Sequence, residues 1–363
     1  MFKQLGSIYL ILGTCIAAGM LGLPIATAPY HFGLTAIMVL SAWFVMTAGA
    51  WCLLQVNMTM PQGANFISMT GATLGPIFKI ITWLTYLLLL YGLICAYLSA
   101  SGDLLQKLLH DIHCNIPRWL ATVLATFILG GVVYAGIRSV DIAIRFLMSA
   151  KFIICVLLIA SVIPFVHLHA LNAGNWHFQF GSWLVVVTSF GFANILPSIR
   201  DYLENDRKKI MRVFFISSVI PIALYLIWIS VVQGALPRFG INGLVSLNNS
   251  PNTNSILMSQ ITALTHHALI KSIGVVFVSI CSITGFLSVA LSLMDVLADG
   301  IHREHFRINR LMIACMALLP PMAIVIFDPA IFIRALSFAG ICCLYVLVLL
   351  PIMMYLKNCH PLG

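Results

Sequence analysis

One lysine, Lys151, lies within a long apolar stretch, about four residues past the predicted start of a helix over 146–166. A charge at this depth is costly in lipid, so it indicates a functional site. Two interpretations stay open. The side chain could extend back to the membrane surface and keep its ammonium group in water. It could instead be buried beside neighbouring helices and lose and regain a proton, which would couple a transport step to a proton gradient.

Two hydroxyl side chains, Thr284 and Ser288, are four residues apart in the apolar stretch 270–294 and share one face of a helix. They could hydrogen-bond Lys151 or coordinate a cation, and we predict that they form the proton-coupling site with it. In the alternative, each hydroxyl bonds a carbonyl oxygen of its own helix one turn earlier.

Gly and Pro interrupt two apolar stretches at corresponding positions. The first stretch contains Gly13 and Gly19 before Pro24, and the second contains Gly191 before Pro197. A helix broken there exposes backbone N–H and C=O groups, which membranes tolerate only beside a cavity or other protein. The N–H groups could hold a carboxylate and the carbonyls an ammonium. Paired interruptions of this kind predict the binding site of a secondary transporter for a zwitterion.

We expect the substrate site at these two breaks, with aromatic side chains from the breaks and a neighbouring helix. The residues predicted to bind substrate are Thr14, Cys15, Ala17, Ala18, Gly19, Met20, Tyr91, Phe190, Gly191, Phe192 and Asn194. Lys3 is predicted to meet Asp299 and close an inner gate; in the alternative, Asp299 only caps its helix. The histidines lack metal-site spacing, and no nucleophile–base pair is visible, so we predict neither an enzyme nor a metal or cofactor.

The elements that position these residues are apolar helices. Of the 363 residues, 61% are apolar and 8% are charged, whereas soluble domains carry about 25% charged residues. Long apolar runs in lipid must be helical, because their backbone groups need internal partners. The predicted spans, ten in number, are 7–30, 34–57, 80–104, 119–137, 146–166, 182–199, 213–236, 270–294, 308–327 and 331–355.

The distribution of charge predicts the orientation of the chain. With the N-terminus in the cytoplasm, fourteen Lys and Arg residues fall in inside loops and five in outside loops. This bias places both termini inside a bacterial inner membrane. It also explains the net charge of +9 without a nucleic-acid partner. The expected partners are an amino acid and the lipid bilayer, and the sequence leaves the oligomeric state open.

The two interrupted spans are five spans apart. An odd number of spans in each half inverts the second half relative to the first. We therefore predict one transmembrane domain over residues 1–363, built from a repeat at about 7–166 and an inverted repeat at about 182–355.

Four segments resemble, in order, the hydroxy/aromatic amino acid permease family of the amino acid–polyamine–organocation superfamily. The segment 13–24 is similar to the first-helix signature, and 188–198 is similar to the sixth helix. The segments 96–102 and 286–299 resemble the third and eighth helices. The likeness spans nearly the whole chain and is strongest to bacterial tyrosine- and tryptophan-specific permeases.

The resemblance implies an all-α, leucine-transporter-like fold of 5+5 inverted repeats with broken helices 1 and 6. It also implies alternating access and proton symport of an aromatic amino acid, with tyrosine favoured and serine or threonine as the alternative. Proton coupling through Lys151 agrees with the helix 5 lysine of some relatives in the wider superfamily.

Three features depart from the family pattern. Ala17 replaces a usual Gly, which is expected to narrow the pocket, and Ala193-Asn194 replaces a frequent His-Gly. The second departure leaves recognition of the substrate side chain open. The family usually has an eleventh helix after the tenth; the two repeats are complete without it, so transport is expected to survive.

Overall fold

Long apolar runs form helices here because each run must satisfy its own backbone hydrogen bonds in lipid. The structure, a computed structural model, describes residues 2–61, 63–135, 137–265, 268–301 and 309–359. Its α-helices are α1 (Phe2–Cys15), α2 (Ala18–Ala26), α3 (Phe32–Thr59), α4 (Phe66–Thr73), α5 (Pro76–Asp111), α6 (Arg118–Ala135), α7 (Ile137–Val162), α8 (Phe180–Ser189), α9 (Leu196–Tyr202), α10 (Arg207–Ala235), α11 (Thr253–Thr265), α12 (Ala268–Ile301), α13 (Arg310–Phe327), α14 (Phe332–Leu344) and α15 (Leu350–Cys359).

Within the described residues, eight helical segments are long and apolar enough to cross a membrane, and the bent pair α1 and α2 makes a ninth. These coincide with nine of the ten predicted spans. The tenth, 146–166, coincides with α7, whose apolar part is the shorter segment Ala150–Phe165. Charged residues Arg138, Asp141 and Arg145 occupy the first turns of α7 and shorten its apolar run. The protein is therefore a multi-pass, all-helical membrane protein.

The first interruption is a bend of 47° between α1 and α2. Ala17 is extended at the bend, with φ −143° and ψ −161°. Pro24, inside α2, has no N–H, so the carbonyl of Met20 one turn earlier loses its helical donor. The indole Nε1 of Trp228 in α10 donates to that carbonyl at 3.0 Å. This hydrogen bond from α10 compensates for the proline in α2.

The second interruption separates α8 from α9. A short 3₁₀-helix, Gly191–Ile195, connects them. Pro197 is the second residue of α9, where a missing N–H leaves no helical bond unmade. Both interruptions that Gly and Pro predict are thus present in the structure.

Contacts at the two ends of the bundle show the directions in which the two broken segments cross it. At one end of the bundle, Lys3 near the start of α1 pairs with Glu204, which follows α9. At the other end, the hydroxyl of Tyr30, beyond α2, donates to Oε1 of Gln179, just before α8, at 3.1 Å. The pair α1 and α2 and the pair α8 and α9 therefore cross the bundle in opposite directions.

Candidate functional site

A cavity lies where the two breaks meet, between the broken helices and α5, α7, α12 and α14. Its volume is about 840 Å³, counting the part that is open to solvent. Nine of the predicted site residues line it: Thr14, Cys15, Ala17, Gly19, Lys151, Gly191, Asn194, Thr284 and Ser288.

Tyr225 of α10 holds the two breaks together. Its side chain is fully buried, and its hydroxyl lies 2.9 Å from the carbonyl oxygen of Cys15 and 2.6 Å from that of Ser189. Cys15 ends α1 and Ser189 ends α8, so one hydroxyl contacts the last carbonyl of each helix. No sequence pattern identifies this residue as part of the site, because an aromatic side chain in an apolar helix is usually a packing residue.

The glycines at the two breaks have different surroundings. A Cβ at Gly19 would lie 2.9 Å from the Cα of Ser189, so only glycine lets α2 approach α8 this closely. A Cβ at Gly191 would meet no atom within 4 Å. Because Gly191 also lines the cavity, the space beside it is available to a substrate.

Lys151 is buried inside the protein, with 1% of its surface exposed. Its Nζ donates to the carbonyl oxygen of Gly13 in the last turn of α1, at 3.2 Å. Of the two predicted arrangements, the structure therefore shows the lysine beside the broken helix and not at the membrane surface. Among the described residues no carboxylate pairs with Lys151, and the titratable groups that interact with it are the thiols of Cys15, Cys155 and Cys281. Held by a neutral carbonyl, the amine can exchange its proton without breaking an ion pair.

Thr284 and Ser288 each donate a hydrogen bond to a carbonyl of their own helix one turn earlier, as the alternative to the predicted coupling site expects. The hydroxyl of Thr284 donates to the carbonyl of Ile280 at 2.7 Å, and that of Ser288 donates to the carbonyl of Thr284 at 2.9 Å. Both residues nevertheless line the cavity together with Lys151. Each hydroxyl uses its one donor in this bond, and its oxygen can still accept a hydrogen bond.

Helix α5 contributes aromatic side chains to the cavity, but Tyr91 is not among them. The hydroxyl of Tyr91 donates to the carbonyl of Met316 in α13 at 2.7 Å, on another face of α5. Residues at positions i, i+4, i+7 and i+11 share one face of a helix. On α5 that pattern gives the cavity-lining set Tyr86, Leu90, Leu93 and Tyr97. This periodicity could have identified Tyr86 from the sequence.

Phe190 and Phe192, predicted to line the pocket, are packed in the protein core instead. The ring of Phe190 lies 4.9 Å from that of Tyr225, and the ring of Phe192 lies 6.4 Å from that of Phe214. The reason is local geometry. The break continues as a 3₁₀-helix with three residues per turn, and the face that carries Gly191 is the one turned to the cavity.

Ala18 and Met20 are fully buried and are not among the residues that line the cavity. They lie in the first turn of α2, where backbone N–H groups have no partner within the helix. These residues can contribute to a site through their amides but not through their side chains.

Lys3 is paired with Glu204 in this structure. The hydrogen bond from Lys3 and its positive charge hold the pKa of the exposed Glu204 carboxyl below its usual value. The side chain of Asp299 lies outside the described residues, so the Lys3–Asp299 gate stays a prediction.

The cavity combines the groups that a zwitterionic amino acid requires. The first turn of α2 presents N–H groups and the positive end of a helix dipole, which suit a carboxylate. The last carbonyls of α1 and α8 suit an ammonium group. Tyrosine rings and leucine side chains of α5 offer apolar surface to a large side chain.

Comparison with known proteins agrees with this geometry. The model of the tryptophan/tyrosine permease family matches residues 2–360. Tyrosine-specific transport system 2 of Haemophilus influenzae is 30% identical over 354 residues, covering 96% of this chain and 86% of that protein. The tryptophan-specific transport protein of Pseudomonas aeruginosa is 28% identical over 357 residues, covering 96% and 85%. The low affinity tryptophan permease of Escherichia coli is 27% identical over 361 residues, covering 96% and 86%. These matches confirm the predicted resemblance: the chain belongs to the tryptophan/tyrosine permease family.

Proposed function

We propose that this permease is a proton-coupled symporter that imports an aromatic amino acid, preferably tyrosine, across the bacterial inner membrane by alternating access. The observation that carries the proposal is the position of Lys151. It is buried, it lines the same cavity as both helix breaks, and its Nζ contacts the carbonyl of Gly13 at 3.2 Å. A proton on this amine and a substrate in the cavity would therefore act on the same helix, α1.

Protonation of the Lys151 amine would couple the proton gradient to the position of α1. A protonated Lys151 donates a charge-assisted hydrogen bond to the carbonyl of Gly13 and so stabilises one position of α1. Loss of the proton weakens this bond and frees α1 to move relative to α7. Thr284 and Ser288 face the same cavity and offer acceptor oxygens to the proton as it passes.

We also propose ten spans arranged as two inverted repeats, about 7–166 and 182–355, with α7 as the fifth span. The opposite directions of the two broken segments support this arrangement. The excess of basic residues at the end of the bundle that holds Lys3 supports cytoplasmic termini.

Tyrosine is proposed because the cavity combines the aromatic and apolar face of α5 with the polar side chain of Asn194. A tyrosine-specific transport system is among the relatives, and tryptophan-specific proteins are too. Tryptophan is therefore the main competitor. A serine or threonine permease of the same fold would leave the α5 face without a partner.

The test is uptake of radiolabelled tyrosine into proteoliposomes under an inward proton gradient, with unlabelled tryptophan, phenylalanine, serine and threonine as competitors. We expect accumulation above the equilibrium level, abolished by a protonophore, and competition by aromatic amino acids. Stronger competition by serine or threonine would contradict the aromatic substrate. Accumulation that ignores the proton gradient would contradict proton coupling.

A further inference from the structure

We propose that Asn194 recognises the ring hydroxyl of the substrate and gives this permease its preference for tyrosine over phenylalanine. This inference rests on the proposed aromatic substrate. It assigns the specificity to one side chain at the second helix break, where the sequence departs from the family pattern.

The direction of the Asn194 side chain follows from the 3₁₀-helix Gly191–Ile195. Side chains three residues apart in a 3₁₀-helix eclipse one another, so Asn194 points the same way as the hydrogen of Gly191. Both residues line the cavity, whereas Phe192 and Ala193 are buried in the core. The cavity is therefore open beside Gly191, and the side chain of Asn194 borders this open space on one side.

The spacing of the two residues matches an aromatic amino acid. Three residues of 3₁₀-helix rise about 6 Å. This is comparable to the distance from the α-carbon of tyrosine to its phenol oxygen. A substrate whose α-carbon lies beside Gly191, between the amides of α2 and the carbonyl end of α8, would bring its phenol group to Asn194.

The amide of Asn194 is available for this contact. Among the described residues it makes no hydrogen bond, and it is exposed to the cavity. The serine and threonine hydroxyls that share the cavity have each donated their proton to a carbonyl of their own helix: Thr14, Thr188, Ser189, Thr284 and Ser288. An amide offers both a donor and an acceptor, which matches a phenol that can act as either. Phenylalanine would leave both unpaired.

The experiment compares equilibrium binding of tyrosine and phenylalanine to detergent-purified permease. The variants are the native protein, Asn194→Leu, which keeps the side-chain shape without its polar atoms, and Asn194→Gly, which removes the amide without adding apolar bulk. Ser198→Ala, in the next helical turn and outside the cavity lining, is the control. We expect Asn194→Leu to weaken tyrosine binding roughly 10–100-fold and to change phenylalanine binding less than about threefold.

The outcomes separate the two proposals. If the native protein binds neither aromatic amino acid, the proposed function fails and this inference fails with it. If the native protein prefers tyrosine and both Asn194 variants keep the same preference, only the inference is overturned. Equal weakening of both ligands in both variants also overturns it, because that result assigns Asn194 a structural role.

Discussion

The substitution Tyr225→Phe removes one hydroxyl from the point where the two broken helices meet. The carbonyl oxygens of Cys15 and Ser189 share its single proton and lose it together. The Cys15 carbonyl keeps the backbone N–H of Ala17 as a donor at 3.0 Å. The Ser189 carbonyl, which lies closer to the hydroxyl at 2.6 Å, loses its side-chain donor, so the change leaves about one buried acceptor unsatisfied. We therefore expect a loss of about 1–3 kcal/mol of stability.

The assay is thermal unfolding of the purified permease in detergent, with and without substrate. The phenyl ring of the variant still fills the space of the tyrosine ring, so no cavity adds to the loss. Tyr134→Phe is the matched control, because the Tyr134 ring is 45% exposed and no hydrogen bond of its hydroxyl occurs among the described residues. We expect Tyr225→Phe to lower the melting temperature by a few degrees and to weaken substrate binding, while Tyr134→Phe changes neither. Equal behaviour of the two variants would refute the role given to Tyr225.

Two further predictions concern the second break and the end of the bundle near Lys3. Gly191→Leu should abolish substrate binding but leave expression intact, whereas Gly131→Leu, at an exposed α6 position with equal room for a Cβ, should leave binding unchanged; binding by both variants would contradict the site. Because Lys3 holds the pKa of Glu204 below its usual value, their pair contributes stability above the ordinary glutamate pKa and loses it as pH falls through the lowered pKa. The native protein should therefore melt slightly above Glu204→Gln at pH 7 and no longer do so in acid; a difference that persists in acid would refute the pairing.

The sequence predicts the helices and breaks well because their causes are local. An apolar run has one stable form in lipid, and Gly and Pro weaken a helix wherever they occur. The lysine at position 151 is a different case. Its sequence position allows either a surface or a buried ammonium, and only the packing of α1 against α7 decides between them.

The aromatic residues show why the lining of the site is harder to predict. Phe190 and Phe192 lie at the break as predicted, but a change from 3.6 to 3 residues per turn moves their side chains to the core. Tyr225 and Trp228 of α10 donate hydrogen bonds to carbonyls at the first break. These carbonyls, of Cys15 and Met20, lie more than two hundred residues away along the chain. No local pattern in α10 indicates such a partner.

The most direct test of the account is pH-driven tyrosine uptake by Lys151→Gln in proteoliposomes, measured beside exchange of internal for external substrate. Lys209→Gln, which changes an exposed lysine outside the membrane, is the control. We predict that Lys151→Gln loses accumulation driven by the proton gradient and keeps exchange, because the cavity remains while the titrating amine is gone. Unchanged gradient-driven accumulation in Lys151→Gln would contradict the role of this lysine in proton coupling.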